Sequence, residues 1–156
     1  MNMQNVGTVF VEDLTPGLTR TLTKVIGARE VELFADLSED RNPIHLCERA
    51  AGASVFGGRV AHGMLSASLF SAIIGERLPG RGTIYLGQSL RFRAPVRVGD
   101  EVTARVTVAS VDAARCRATL ACEAHVGAVC VITGEAEVLV PARAALAVPG
   151  PGAAAA

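Results

Sequence analysis

Residues 61–75 have the sequence Ala61-His-Gly-Met-Leu-Ser-Ala-Ser-Leu-Phe-Ser-Ala-Ile-Ile-Gly75, which contains no Asp, Glu, Lys or Arg. As an α-helix, this segment presents apolar side chains in nearly every direction and therefore requires burial on nearly every side. At 1.5 Å per residue the helix is roughly 22 Å long. This is shorter than a membrane-spanning helix, which needs about 18 or more consecutive apolar residues. Because Glu76 and Arg77 end the apolar run, the segment predicts a buried central helix and no membrane span.

The sequence after this helix alternates apolar and polar residues with a period of two, which is typical of β-strands. This alternation predicts four strands after the helix, at 83–93, 102–108, 115–123 and 129–140. A fifth strand is predicted before the helix, at 18–26. The connections at 112–114 and 125–128 are short enough for hairpins, so we expect an antiparallel sheet. Cys116 and Cys122 fall on the apolar face of one predicted strand, and we expect both in the core.

A second helix is predicted over residues 28–37. Its buried side is expected to carry Val31, Leu33, Phe34 and Leu37. An antiparallel sheet that must cover one nearly all-apolar helix is an α+β architecture in which the sheet wraps the helix. We expect a single domain over residues 1–140. Residues 141–156 are rich in Pro, Gly and Ala, and we expect them to form a disordered tail.

Composition and charge exclude several classes of function. The chain has 15 basic and 15 acidic side chains, so no net charge attracts nucleic acid or an anionic membrane, and 4% aromatic content leaves few rings to stack on bases. The four cysteines form no CxxC pair and have no histidine at zinc-finger spacing, so we expect free thiols and no metal site. The first 13 residues lack the basic and apolar regions of a secretory signal, and we expect a cytoplasmic protein.

The polar segment Ser38-Glu-Asp-Arg-Asn-Pro-Ile-His45 places a carboxylate, Asp40, five residues before an imidazole, His45. Asn42 and Pro43 prevent the preceding helix from continuing and favour a rigid loop, so we expect them to support a site. In such a loop Asp40 and His45 can converge on one water molecule, as general acid–base catalysis requires. The alternative is structural: Asp40 caps a helix and His45 satisfies its hydrogen bonds within the loop.

His62 and Gly63 open the central helix, whose first turn carries unpaired N–H groups and the positive end of the helix dipole. Gly63 has no side chain, so a carbonyl oxygen can approach its N–H closely, as in an oxyanion site. The alternative for Gly63 is close packing of its backbone. His62 is a second candidate acid or base, although a hydrogen bond to a backbone group is the commoner role.

Three blocks of sequence occur in the order and spacing of a known family: Leu37–His45, His62–Ser71 and Tyr85–Phe92. Together they resemble the MaoC-like (R)-specific enoyl-CoA hydratases. The resemblance implies a hot-dog fold, in which an antiparallel β-sheet wraps a long central α-helix, in agreement with the periodicity. It also implies a hydro-lyase that adds water reversibly to a trans-2-enoyl-CoA and gives (R)-3-hydroxyacyl-CoA, a link between fatty-acid oxidation and polyhydroxyalkanoate precursors.

The resemblance also implies roles for individual residues. By position, Asp40 and His45 match the catalytic pair, which holds the water that adds to C3. Gly63 matches the backbone donor that polarises the thioester carbonyl, and Ser71 matches a hydroxyl near the pair. Arg41, between Asp40 and Asn42, is one departure from the family's pattern, at a position that needs no particular residue; if its charge faced the site, Asp40 would be a poorer base.

Partners follow from the same resemblance. Family members are commonly dimers that admit acyl-CoA near the subunit interface, so a homodimer is implied, with no metal and no cofactor apart from the coenzyme A of the substrate. Every basic residue after position 76 is an arginine. The candidates to bind the phosphates of coenzyme A are Arg77, Arg81, Arg91, Arg93 and Arg97. Because aromatic residues are few, we expect an aliphatic acyl pocket.

Two other functions remain open from the sequence. A hot-dog acyl-CoA thioesterase would direct water to the thioester carbonyl and not to C3, which the spacing of Asp40 and His45 disfavours. A non-catalytic module that binds acyl thioesters would not need to retain both residues, and this chain has both.

Overall fold

The computed structural model describes residues 7–143. A turn of 3-10 helix (Val11–Asp13) and the strand β1 (Thr19–Val25) come first. Four helices follow: α1 (Ala28–Ser38), α2 (Pro43–Leu46), α3 (Glu48–Gly52) and α4 (Gly63–Glu76). The remaining strands are β2 (Ile84–Phe92), β3 (Glu101–Asp112), β4 (Arg117–Val126) and β5 (Val129–Leu139). The five predicted strands and two predicted helices are confirmed, whereas the short helices α2 and α3 were not predicted.

The strands form one antiparallel sheet in the order β1-β3-β4-β5-β2. The last three strands follow one another along the chain as a meander, and β1 and β2 add to its two edges. Helix α4 lies against β1, β3 and β4. This arrangement confirms the α+β architecture with a sheet packed around a central helix.

Helix α4 is the centre of the hydrophobic core. Phe70, Ile73 and Ile74 are at most 1% exposed, and they pack with inward-facing residues of the sheet such as Val106 and Leu120. Each large buried aliphatic or aromatic side chain contributes roughly 1.5–3 kcal/mol relative to its exposed state. No helix within residues 7–143 has both the length and the hydropathy that a membrane crossing requires.

Gly27 precedes the first turn of α1, and its N–H donates to the Glu30 carboxylate at 3.1 Å. Its buried face was predicted only in part. Val31 is fully buried and Phe34 is half-buried, but Leu33 and Leu37 are 57% and 84% exposed. At about 100° per residue, Leu33 and Leu37 form a stripe of their own on the solvent side of the helix.

The hairpin predictions need correction at two places. Strand β4 extends through His125 to Val126, so the connection to β5 is only Gly127 and Ala128. Cys116 is not in a strand; it lies in the turn before β4 with φ of 52° and is only partly buried. Cys122 is fully buried as expected, and burial raises the pKa of its thiol to about 11.

The chain after β5 is held against the N-terminal 3-10 helix as far as the description extends. The carbonyl of Pro141 accepts the N–H of Val11 at 3.0 Å, and the backbone of Arg143 donates to the Glu12 carboxylate at 3.2 Å. The remainder of the predicted tail, residues 144–156, lies outside the described residues.

Candidate active site

The loop between α1 and α2 turns sharply at Glu39, which ends α1 in the left-handed conformation with φ of 61° and ψ of 9°. Beyond this turn the Asp40 carboxylate accepts the N–H of Asn42 at 3.2 Å. The Asn42 side chain accepts the N–H of Ile44 at 3.3 Å, and Pro43 is the first residue of α2. Asn42 and Pro43 therefore start the short helix that carries the candidate histidine.

His45 is 8% exposed, and its ring is fixed on one side by the backbone. Its Nδ1 lies 2.7 Å from the carbonyl oxygen of Val60, and since a carbonyl oxygen only accepts, Nδ1 carries the hydrogen. Nε of Arg59 donates to the carbonyl of His45 at 2.7 Å and holds the helix from outside. In the neutral ring these contacts leave Nε2 as the basic nitrogen available to water or substrate.

His62 caps the start of α4 and is 2% exposed. Its Nε2 lies 2.9 Å from the backbone carbonyl oxygen of Asp40, which confirms the predicted bond to a backbone group. Its ring stacks on His45 with centroids 3.8 Å apart and planes 30° from parallel. The structure thus brings Asp40, His45 and His62 together from three separate parts of the sequence.

One potential ligand atom from each of Asp40, His45 and His62 lies within 4.8 Å of the other two. The question is therefore whether the three side chains could bind one metal ion. A metal bound by both histidines would lie in both ring planes at about 2.0–2.1 Å from each nitrogen. Rings whose centroids are 3.8 Å apart and whose planes are 30° from parallel face each other, and do not point their nitrogens edge-on at a common ion. The stacked geometry therefore suits proton transfer better than joint metal ligation.

A cavity of about 580 Å³ opens beside this cluster. This volume lies within the range of roughly 300–1,000 Å³ that is usual for small-molecule sites. Its lining is mainly apolar and includes Phe34, Phe56 and Phe92. The expectation of an aliphatic pocket holds only in part: side chains such as Ile44, Val60 and Ile132 line the cavity, but three of the chain's five phenylalanines gather here as well. They come from a helix, a loop and a strand, so no periodic signal in the sequence could have revealed the cluster.

Gly63 and Met64, in the first turn of α4, also line the cavity. The first N–H groups of a helix have no acceptor within the helix, so they remain available to an oxyanion. A Cβ on Gly63 would lie 2.6 Å from Cε1 of Phe92. Close packing thus accounts for the glycine, and its role as an oxyanion donor stays a prediction.

Comparison with known proteins shows the family. A family model described as "MaoC like domain" matches residues 10–128. The chain belongs to the MaoC-like domain family. It is 50% identical to a 3-hydroxybutyryl-CoA dehydratase of Methylorubrum extorquens, over 86% of each chain. It is 48% identical to an (R)-specific enoyl-CoA hydratase of Rhodospirillum rubrum, over 86% of this chain and 93% of the relative.

A solved structure also resembles this MaoC-like chain. The (R)-hydratase of A. caviae, described as involved in PHA biosynthesis, superposes with a TM-score of 0.81 at 48% identity. The match covers 83% of this chain and 99% of that one. The predicted hot-dog fold is thereby confirmed.

Ser71 of the MaoC-like chain does not lie where the resemblance implies. It is exposed and does not line the cavity, whereas Ser66 is fully buried and does. The two serines are five residues apart, or about 140° around a helix, so one chain cannot bring both to the same face. Ser66 Oγ has no hydrogen-bond partner among the described residues, and of the serines on α4 it is the one that lines the cavity.

The arginines around the MaoC-like site separate into different environments. Arg41 pairs with Asp36 at 2.8 Å on the exposed surface and does not line the cavity. Of the five arginines predicted to meet coenzyme A, Arg93 lines the cavity. Arg81 instead pairs with Glu76, at 3.5 Å.

Proposed function

We propose that this MaoC-like protein is an (R)-specific enoyl-CoA hydratase, a hydro-lyase that adds water reversibly to trans-2-enoyl-CoA. One observation carries the proposal: side-chain ligand atoms of Asp40, His45 and His62 lie within 4.8 Å of one another beside an apolar cavity of about 580 Å³. A carboxylate and an imidazole can share a water there, and the cavity can hold an acyl chain. The relatives named as hydratases and dehydratases support the same chemistry.

In the proposed reaction, Asp40 removes a proton from water while His45 Nε2 holds that water. The oxygen bonds to C3 of the enoyl thioester, and the electron pair of the C2–C3 double bond moves toward the thioester carbonyl. The N–H of Gly63 stabilises the resulting enolate oxygen. Protonated Asp40 then returns its proton to C2 on the same face, which gives (R)-3-hydroxyacyl-CoA. Positioned acid–base groups of this kind typically contribute about 10² to 10⁴ in rate.

An assay with crotonyl-CoA tests this activity against the two alternatives. Loss of enoyl-thioester absorbance without release of free thiol is the result expected of a hydratase. Release of thiol indicates a thioesterase, and binding without either signal indicates a non-catalytic module. Chiral analysis of the product provides a second check, since an (S)-configured alcohol contradicts the proposed geometry.

Arg93 is the strongest of the proposed coenzyme A contacts, because it lines the cavity. Its Nε donates to the Thr133 hydroxyl at 3.2 Å, which holds the side chain on the sheet. Arg93→Ala is expected to raise KM for crotonyl-CoA with little change in kcat. Arg81→Ala removes a cation already paired with Glu76 and serves as the matched control.

The proposed assembly is a homodimer formed through the edge strand β2. This strand pairs only with β5 within the described chain, and it exposes Ile84, Leu86 and Phe92 by 55%, 44% and 53%. An apolar, unpaired edge promotes association, and a second copy of β2 would cover it. Light scattering should give twice the mass of one chain, and Leu86→Glu should reduce it toward one.

The proposed location is the cytoplasm. We propose no cofactor, since coenzyme A takes part only as a portion of the substrate. Cys47, Cys116, Cys122 and Cys130 are free thiols, which is compatible with a reducing compartment. There the (R)-3-hydroxyacyl-CoA product would link fatty-acid oxidation to polyhydroxyalkanoate synthesis; the A. caviae relative is described as involved in PHA biosynthesis.

A further inference from the structure

His62 contacts both members of the proposed catalytic pair with different parts of one ring. Its Nε2 lies 2.9 Å from the backbone carbonyl oxygen of Asp40. Since that oxygen can only accept, Nε2 carries the hydrogen and Nδ1 is the unprotonated nitrogen of the neutral ring. The face of the same ring lies on His45, with centroids 3.8 Å apart.

The surroundings of His62 leave the ring little freedom to move. It is 2% exposed, it caps α4, and the ring of Phe34 packs against it with centroids 5.0 Å apart. The helix that follows is anchored in the core through residues such as Phe70. His62 is therefore fixed relative to the core, and its hydrogen bond can hold the loop at Asp40, which is otherwise exposed, in one position.

The unused nitrogen of His62 argues against simple space filling. Nδ1 is buried and has no hydrogen-bond partner among residues 7–143. A buried acceptor without a partner costs free energy, and a phenylalanine of similar shape would avoid that cost. The imidazole is therefore best explained by what its other nitrogen does, which is to hold the Asp40 backbone.

We propose that His62 is a positioning residue, which fixes the Asp40 carboxylate relative to the His45 ring through its Nε2–H bond. The assignment of its kinetic effect rests on the proposed hydratase function. His62 itself transfers no proton in the reaction. Displacing a reacting group by about 1 Å can cost roughly 100-fold in rate, so loss of this bond should reduce kcat and leave substrate binding largely intact.

Three substitutions separate the hydrogen bond from the ring. His62→Phe keeps a ring beside His45 and removes the donor. In His62→Gln the amide nitrogen takes the place of Nε2, whereas in His62→Asn it takes the place of Nδ1 and is too short to reach the Asp40 carbonyl. We expect His62→Phe and His62→Asn to lower kcat roughly 10-fold to 100-fold with KM changed less than about threefold. His62→Gln should recover most of kcat.

The matched control is His125, the remaining histidine of the three in the chain. It is half-buried on β4 and makes no side-chain hydrogen bond within the described residues. His125→Phe and His125→Gln should leave kcat and KM unchanged. If His62→Phe fails to fold, the comparison of His62→Gln with His62→Asn tests the same bond. Equal kcat in all His62 variants and the wild type overturns the proposal, and so does an equal loss in His62→Gln and His62→Asn.

A readout without turnover distinguishes failure of this inference from failure of the proposed function. Nitrogen-15 spectra of the histidine rings should show hydrogen on Nε2 of His62 and on Nδ1 of His45 in the wild type. The amide signals of Asp40 and Arg41 should move in His62→Asn and return in His62→Gln. If the wild type hydrates no enoyl-CoA but these signals behave as stated, the activity is wrong and the positioning stands. A hydrogen on Nδ1 of His62 overturns the positioning.

Discussion

The two ends of α4 lie in different surroundings, although the helix has only 14 residues. At the start, Gly63 and Ser66 line the cavity, and the Ser66 hydroxyl is buried without a partner in the described chain. Toward the other end, Phe70, Ile73 and Ile74 are packed with almost no exposure. Unsatisfied polar atoms mark the first turn, and tightly packed apolar side chains mark the inner face of the last turns. Changes at the two ends should therefore affect different quantities, activity at the first and stability at the second.

The largest expected effect is at the cavity end. Asp40→Asn and His45→Gln each remove an acid–base group while keeping the shape of the side chain, so kcat for crotonyl-CoA hydration should fall about 10² to 10⁴-fold. In Asp40→Asn, circular dichroism and the melting temperature should stay close to the wild type, because Asp40 is exposed and its replacement can still accept the Asn42 N–H. His45→Gln loses the Nδ1 bond to the Val60 carbonyl, so its kcat is compared per folded molecule. Full activity in either folded variant contradicts the mechanism.

The packed end should respond in stability alone. Ile73 is fully buried, and Ile73→Ala should lower the free energy of unfolding by about 2–5 kcal/mol because it leaves a cavity. Urea denaturation measures the loss, and kcat per folded molecule should not change. Leu33→Ala, at a site 57% exposed, is the control and should cost less than about 0.5 kcal/mol. A loss of kcat in folded Ile73→Ala would show that the two ends are not independent.

Much of this difference could be predicted from the sequence. The period-two segments indicate the sheet, because the alternation reflects which face meets water. The uncharged run at residues 61–75 predicts a helix buried on nearly every side, and this is confirmed only for the side that faces the core. The opposite side is exposed at Met64, Ser68, Ser71, Ala72 and Gly75. The same reasoning fails for α1, whose buried face was predicted only in part. Leu33 and Leu37 are apolar yet exposed, since the burial of a helix face depends on what packs against it and not on composition alone.

Gly63 lies beside both the cavity and the Phe92 ring, so its substitution should change activity and stability together, each by a smaller amount. A Cβ there would meet the Phe92 ring at 2.6 Å, and that ring is 53% exposed, so it can shift at a cost of roughly 1–3 kcal/mol. Gly63→Ala is expected to reduce kcat/KM about 10-fold through the displaced ring and the narrowed approach to the N–H.

The double variant Gly63→Ala/Phe92→Ala separates the two causes. If packing is the whole reason for the glycine, removal of the ring restores the melting temperature and kcat/KM together. If the N–H also serves the reaction, the double variant regains stability while kcat/KM stays low. Recovery of kcat/KM with stability still reduced would contradict the contact described here.

The smallest effect concerns Glu39, which joins α1 to the catalytic loop. Its φ of 61° is unfavourable for a residue with a side chain, by roughly 1–2 kcal/mol, and glycine would avoid this penalty. Because glycine also loses more freedom on folding, Glu39→Gly should raise the free energy of unfolding by only about 0.5–1 kcal/mol. Glu32→Gly, within the same helix, is the control and should lower it by about 1 kcal/mol.

The closeness of Asp40 and His45 was predictable from the sequence, but the residues that line the cavity were not. Asp40 and His45 are close in sequence, and the Asn42-Pro43 pair indicates the turn that joins them, so a local pattern was sufficient. The stack of His62 on His45 and the lining by Phe56 and Phe92 depend on contacts between distant segments. Ser71 shows the reverse error, because a match of motifs does not specify which side of a helix faces the cavity.

The strand order has a consequence for the order of folding. The hairpins β3–β4 and β4–β5 pair strands that are consecutive in the sequence. By contrast, Thr19 of β1 pairs with Thr107, and Ile84 of β2 pairs with Leu139. Contacts across such sequence separations form slowly because a long loop must first close. The first half of the chain holds Asp40, His45, His62 and Gly63 but not the strand that pairs with β1. A nascent chain therefore has every proposed catalytic group before it has the sheet that arranges them, and activity must await synthesis of the meander.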